Sequence, residues 1–522
     1  MGEIALILMT QADETLEQVV VNAEQMRRVE EQLFANGMPV SALMEKAALL
    51  MSDRLQELCP IDQYKQIGIL VGPGHNGGDA LVIARELWLK DYQVLVYYPF
   101  EKVKELTAQH AQYAQFLGIS FIQDLQLLEN CDLLLDGLFG FGLTRPLVGW
   151  IADVIEQVNQ WQKPIISIDL PSGIHTDTGK VLGIAIKATH SFCLGLWKLA
   201  FFQDQALEQL GKIERLDFGI PKKVVQEIIS DSSSIKLMTA NLVKRSLPLS
   251  RPLLTHKYQQ GHLLLICGSR RYAGGAILTG LGAKASGVGM LSIAVPESLK
   301  PLLVSHLPEA LIIDCPETET GAIAELPDFA QDFENYTVIA AGPGLTLEAL
   351  PIIEKVLTAP VPLILDADGL NCLAQLGTVS NLTKRNPPTI LTPHLGEFKR
   401  LFPGISLPNG DRIQAVQEAA KQGQALILFK GARTVISNSN GQTWVISEST
   451  PALARGGSGD VLTGLMGGIL AQSRQLPLEE LVATSAWWHA QAGILAAKER
   501  TELGVDASTL SQYLIPACQH LF

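Results

Sequence analysis

No two cysteines in this chain stand as C-x-x-C; Cys59, Cys131, Cys193, Cys267, Cys315, Cys372 and Cys518 are scattered along 522 residues. Without paired spacing the thiols read as reduced core residues of a cytoplasmic protein. No apolar stretch reaches the roughly 18 residues of a membrane helix. The apolar run Ile4–Met9 follows Glu3 and is too short for a secretory signal. Positive charge is also scarce: 40 Lys and Arg against 53 Asp and Glu give a net charge of -13. That balance argues against nucleic acid as the main partner. It also repels free phosphates, so a nucleotide site has to be built locally from backbone N–H groups and a few Lys or Arg. Charged residues make up 18% of the chain and hydrophobic ones 47%, which excludes disorder. The length predicts two or more domains.

Short apolar runs alternate with helical stretches. Residues 66–71, 92–98, 131–136 and 164–169 read as strands, with a helix over 80–90. Strands rich in Val, Ile and Leu, without polar alternation and separated by helices, indicate parallel sheets covered on both faces. A second series follows at 262–267, 290–295, 337–341, 362–365, 389–391 and 425–429. Between the two lies 230–260, rich in Ser, Lys, Arg and Pro. The boundary is placed there, giving an α/β domain over residues 1–235 and another over 236–522.

The most informative stretch is Gly456-Gly457-Ser458-Gly459-Asp460, ahead of an apolar run, Val461 to Ala471, that reads as a helix. Unpaired N–H groups at a helix start form an anion site at the positive end of its dipole. A carboxylate at such a mouth is costly unless it works, so Asp460 is a candidate general base for a hydroxyl attacking a phosphoryl group. The plainer reading is a helix capped by Ser458 or Asp460.

In the first domain, Gly72-Pro73-Gly74-His75-Asn76-Gly77-Gly78-Asp79 follows a strand and opens a helix. Formally this holds the dinucleotide fingerprint G-x-G-x-x-G. The acidic residue expected about 20 positions on is missing, because the next strand ends Tyr97-Tyr98-Pro99. A nicotinamide-dependent dehydrogenase is therefore disfavoured. Two further strand-end loops begin at Asp136-Gly137 and Asp169-Leu170-Pro171-Ser172-Gly173. Ligands of open parallel sheets bind beyond the carboxyl ends of strands. Asn76, Asp136 and Ser172 offer oxygen ligands for a hard cation, and Asp169 remains as the acid–base group. Taken singly, each is also an ordinary turn residue.

These residues resemble the bifunctional NAD(P)H-hydrate repair enzymes, across nearly the whole chain. The resemblance implies a Rossmann-like NAD(P)HX epimerase domain followed by a ribokinase-like NAD(P)HX dehydratase domain. It implies potassium on Asn76, Asp136 and Ser172, with proton transfer by Asp169. The epimerase pocket would be lined by His75, Asn76, Gly77, Gly78 and Asp79, and by Gly140, Phe141, Gly142, Leu143, Thr144, Arg145 and Pro146. Lys198 also matches a family position. The family usually has Asn at His75, Gly at Ala80 and often Thr at Phe141.

In the second half the similarity runs in order through Gly268–Ala276, Ala341–Leu345, Leu365–Asn371, Leu391–Glu397, Lys430–Thr434 and Gly456–Asp460. It implies that ADP or ATP, with Mg²⁺, phosphorylates the C6 hydroxyl of hydrated NADH, ADP being usual among bacterial members. Phosphate then leaves, pushed by the ring nitrogen. Ala276, Gly344 and His394 would contact the hydrate, together with Asp460 as base. Lys430, Gly431, Ala432, Arg433 and Thr434 would contact the AMP moiety with Gly459. A homo-oligomer that binds only small nucleotides, without nucleic acid or membrane, is expected. The competing readings are a small-molecule kinase, which would release a stable phosphorylated product, and a non-catalytic N-terminal binding module.

Overall fold

Apolar runs of Val, Ile and Leu form the strands of the computed structural model, which describes residues 16–229, 235–247, 251–407, 410–472 and 476–521. The N-terminal apolar run and Ser232–Ser234 lie outside the described residues. The chain divides into two compact units, Met1–Ser230 with Asn409–Asp411 and Asp231–Pro408 with Arg412–Phe522.

The first unit's sheet has strands β1 (Gln66–Val71), β2 (Gln93–Tyr97), β3 (Ser120–Ile122), β4 (Leu133–Gly137), β5 (Ile165–Ile168), β6 (His190–Leu194) and β7 (Lys212–Leu216). Their spatial order is β3-β2-β1-β4-β5-β6-β7, and every neighbour is parallel. Chain direction across the sheet reverses between β1 and β4, so the loops leaving these strands diverge and open a crevice. The loop backbones touch there: a Cβ on Gly72 would lie 1.7 Å from the Leu138 carbonyl oxygen, and one on Gly77 2.0 Å from that of Gly72. Only glycine fits at either position.

Helix α1 (Ala23–Ala35) opens with a capping box between Asn22 and Gln25. It follows a short strand, Val19–Val21, that pairs in parallel with Trp197–Lys198. One small ladder therefore anchors both α1 and Lys198. Helix α2 (His75–Trp88) begins ahead of the expected residue 80. Gly77 and Gly78 join its first turns because they pack against backbone and Met44.

The second unit's strands are β8 (Ile235–Leu237), β9 (His262–Ile266), β10 (Met290–Pro296), β11 (Leu311–Cys315), β12 (Val338–Ala341), β13 (Leu363–Leu365), β14 (Thr389–Leu391), β15 (Leu426–Phe429), β16 (Thr434–Ser437) and β17 (Thr443–Ile446). They run β11-β10-β9-β12-β13-β14-β15-β16-β17-β8, parallel except where β16 runs against β15 and β17. The segment expected to be a linker contributes β8, because Leu237, Met238, Val243 and Leu247 are buried.

Helices α3 (Ala273–Ala285) and α5 (Ser458–Gln472) pack backbone to backbone in this unit. A Cβ on Gly464 would lie 1.8 Å from the Thr279 carbonyl oxygen, and one on Gly282 2.1 Å from that of Val461. That contact fixes the start of α5, where Asp460 sits. Helices α4 (Leu395–Leu401) and α6 (Leu478–Arg500) flank it in sequence. No helix among the described residues is long and apolar enough to cross a membrane. All seven cysteines are buried and unpaired.

Candidate active sites

The three strand-end loops of the first unit meet around a cavity of about 660 Å³. Its wall includes His75, Asn76 and Asp79 of α2, Gly140, Phe141, Gly142 and Leu143 after β4, and Asp169 after β5. Gly77 and Gly78 lie buried behind this wall, whereas Thr144, Arg145 and Pro146 are exposed outside it.

Asp169 is 4% exposed and takes a left-handed φ of 66°, an uncommon conformation that Asp tolerates better than most residues. The buried Lys198 ammonium donates to its Oδ1 at 2.5 Å, and the Phe141 N–H donates to Oδ2 at 3.0 Å. Burial works against the Lys198 charge, but Asp169, the Cys193 thiol and Glu30 outweigh it and hold the ammonium above its ordinary pKa. Three more carboxyls line the cavity, of which Glu31 is exposed. Burial pushes Glu30 up to about 7, with Lys198 opposing and Asp169 adding. Burial, then Asp169 and Glu30, push Asp79 well above the carboxylate range. Burial and Lys104 hold His75 below its ordinary value. Its Nε2 lies 3.4 Å from the Lys104 ammonium, which is only a donor, so a neutral ring accepts there.

Asp136 is wholly buried, behind the cavity wall. Its oxygens accept from Ser172 Oγ at 2.6 Å, Ser167 Oγ at 2.8 Å, Ser172 N at 2.9 Å and Leu138 N at 3.2 Å. Burial raises its pKa against these four donors. All four are neutral, and among the described residues no ion pair reaches it. Asn76 Nδ2 is likewise buried with no partner among the described residues. A buried carboxylate lacking a counter-charge, with hydroxyl and amide oxygens on neighbouring loops, fits an alkali cation.

In the second unit a cleft of about 430 Å³ is walled by Arg271, Tyr272, Gly275, Gly344, Asp368, Gly457 and Asp460, among others. Burial, then Asp366, push Asp460 up to about 7, while Lys430 opposes. The Lys430 ammonium lies 2.7 Å from Asp366 Oδ1, and Thr463 Oγ1 donates to Oδ2 at 2.8 Å. A Cβ on Gly459 would lie 3.3 Å from Lys430 Nζ. The lysine therefore stands at the amide-rich start of α5 and is not a solvated loop residue. Asp366 is its anchor, and Asp368 is the second carboxylate of the cleft.

The other positions expected in this half are distributed differently. Ala276 is fully buried, and Gly431 and Ala432 are exposed beside Lys430. Arg433 donates to the Ser447 carbonyl, and the Thr434 hydroxyl donates to that of Gly431 at 3.3 Å. His394 caps α4: its Nδ1 accepts from Gly396 N at 2.9 Å, and Glu397 returns a bond to its backbone N–H at 2.8 Å.

Sequence reasoning missed Glu30 and Lys104, which line the first cavity from elements that carry no motif. It also missed His489, which burial holds at about 4. The neutral His489 ring donates from Nε2 to the Ser458 carbonyl at 2.9 Å. Nothing in the sequence marked it, because its partner lies a whole helix away.

Comparison with known proteins places both halves in described families. Residues 263–516 match the family described as NAD(P)H-hydrate dehydratase, and residues 40–200 match the one described as YjeF-related protein N-terminus. A Synechocystis sp. protein named bifunctional NAD(P)H-hydrate repair enzyme Nnr is 57% identical over 500 residues, covering 96% of this chain and 95% of its own. One of the same name from Thermofilum pendens is 33% identical over 469 residues, 87% of each chain. Among solved structures, the Bacillus subtilis ADP/ATP-dependent NAD(P)H-hydrate dehydratase co-crystallised with ATP/Mg²⁺ shares 33% identity at a TM-score of 0.46. That match covers 54% of this chain and 98% of the other.

Proposed function

The chain belongs to the bifunctional NAD(P)H-hydrate repair enzymes, and from that premise we propose how its residues divide the work. The enzyme interconverts R- and S-NAD(P)HX and dehydrates the S epimer to NAD(P)H at the expense of a nucleotide. We assign epimerisation to residues 1–235 and dehydration to residues 236–522. One observation carries this: each unit has a crevice at its strand ends containing a buried or half-buried carboxylate, Asp169 in one and Asp460 in the other.

In the epimerase, Asp169 takes a proton from the C6 hydroxyl of the hydrate. Lys198 and the Phe141 N–H hold its two oxygens in place. Asn76, Asp136 and Ser172 would hold potassium, whose charge would balance the buried Asp136 carboxylate. His75, Asn76, Asp79 and Gly140–Leu143 embrace the hydrated ring.

In the dehydratase, Asp460 takes the C6 hydroxyl proton as the oxygen attacks the terminal phosphorus of ADP or ATP. The amides of Gly457–Gly459 and the Lys430 ammonium stabilise the charge on the transferring phosphoryl group. Phosphate then leaves C6 as the ring nitrogen lone pair forms the new C=N character, and loss of the C5 proton restores NAD(P)H. The nucleotide is released as AMP or ADP. Asp368, on the cleft wall, would hold the Mg²⁺ that accompanies the nucleotide and screens its phosphate charge. Seven buried free thiols support a reducing compartment such as the cytoplasm.

Exchanging K⁺ for tetramethylammonium tests the cation assignment. Epimerisation, followed by chromatographic separation of R- and S-NADHX, is expected to slow at least about tenfold, the scale of losing one oriented ligand shell. Dehydration of pure S-NADHX stays as it was. Epimerisation at an unchanged rate without K⁺ would remove potassium from the site.

A further inference from the structure

Beside Asp169, the epimerase cavity is lined by the carboxyls of Glu30, of Asp79 and of the exposed Glu31, and Glu30 has no work in the account above. Among the described residues the Glu30 carboxyl makes no hydrogen bond or ion pair, whereas Asp169 is fixed through both oxygens. Glu30 reaches the cavity from α1, and the strand preceding α1 pairs with the strand carrying Lys198. The two side chains are thus positioned by one ladder. An unpartnered carboxyl on the wall of a substrate cavity is costly unless the substrate supplies its partner.

We propose that Glu30 is the second acid–base group of the epimerase, acting with Asp169 to open and reclose the hydrated ring. This rests on the epimerase reading above. The Asp169 carboxylate removes the C6 hydroxyl proton, the C6–O bond becomes a carbonyl, and the C6–N1 bond breaks. Its electron pair goes to N1, which takes the proton of the Glu30 carboxyl. The nitrogen leaves readily because its electrons are conjugated with the ring carboxamide. Rotation about C5–C6 presents the other face of the aldehyde. N1 then adds back, Glu30 recovers its proton, and Asp169 returns its proton to the new hydroxyl. No oxidant or co-reactant is needed, and C6 keeps its oxygen throughout.

The surroundings of Glu30 suit this cycle. Lys198, Arg27 and Lys104 face it as cations and Asp169 as an anion, with the Asp79 carboxyl also beside it. Burial raises Glu30 to about 7 against those cations, which leaves it able both to give and to take a proton near neutrality. Burial, then Asp169 and Glu30, hold Asp79 well above the carboxylate range, so it gives up its proton reluctantly.

The test uses the full chain with K⁺ present, and R/S interconversion as the readout. Glu30→Gln is expected to slow epimerisation by about 10²–10⁴-fold, with a melting temperature no lower than that of wild type and unchanged dehydration of S-NADHX. Glu30→Asp recovers part of the rate. The wild-type rate falls as pH rises through about 7, and that limb vanishes in Glu30→Gln. Run in H₂¹⁸O, the wild type inverts C6 without acquiring label at early times. A wild-type rate for a folded Glu30→Gln, or one labelled oxygen per inversion, would overturn the proposal. A wild-type enzyme that does not interconvert the epimers would instead overturn the epimerase reading.

Discussion

Asp460→Asn is expected to keep the fold and the affinity for ADP while losing nearly all dehydration of S-NADHX. Removing a positioned general base costs about 10²–10⁴-fold, and the amides of Gly457–Gly459 remain to hold phosphate. The carboxylate has to be ionised to take the proton, and burial next to Asp366 raises its pKa to about 7. Dehydration therefore falls as pH drops below about 7, and this limb belongs to Asp460. Stability moves the other way. A carboxyl whose folded pKa lies above its unfolded one contributes stability in full below the unfolded value and loses it as pH rises through the folded value. Asn cannot ionise, so at pH values above 7 the variant is expected to melt at a higher temperature than wild type. Wild-type turnover by Asp460→Asn would end the general-base assignment; a lowered melting temperature would end the account of its strained charge.

Lys198→Met is expected to be the most destabilising single change at the epimerase site. Lys198 is 1% exposed and Asp169 4%, with the ammonium 2.5 Å from the carboxylate. Removing one partner of a buried ion pair leaves the other uncompensated, at about 3–5 kcal/mol. The Phe141 and Leu194 N–H groups remain as donors, but they carry no full charge. Epimerisation is lost as well, because the ammonium that holds Asp169 Oδ1 in place is gone. Dehydration by the second unit survives at temperatures below the new melting transition. Urea unfolding, beside the double variant Lys198→Met/Asp169→Leu, checks this. The double variant is expected to recover stability without activity. An unchanged unfolding midpoint in Lys198→Met would refute the pair's structural role.

Most strands were legible because they are parallel and buried on both faces, so they read as unbroken apolar runs; the antiparallel β16 and the partly exposed β7 carry no such run. The expected strand 389–391 coincides with Thr389–Leu391. The start of α2 was less legible: glycine argues against a helix interior, and only the closeness of Gly72 and Met44 explains why Gly77 and Gly78 sit in one. The strand-end loops were readable because local polar residues announced them. What surrounds them was not. Glu30 lies on α1 next to the buried Met26, Val29 and Leu33, and by helical spacing it reads as a solvated face. The anchoring of Lys430 by Asp366, and of Asp366 by Thr463, joins three distant segments that no local spacing connects. His394, taken from its sequence context as a substrate contact, spends Nδ1 on capping α4. That bond is invisible until the backbone turn is known.

The most direct test of the whole account is absorbance at 340 nm with an R/S mixture of NADHX, K⁺ and Mg²⁺, with ADP and ATP supplied in separate cuvettes. The account predicts complete recovery of NADH, beyond the S fraction and faster than spontaneous epimerisation, with one phosphate released per NADH. No recovery with either nucleotide, or accumulation of a stable phosphorylated hydrate, would contradict it.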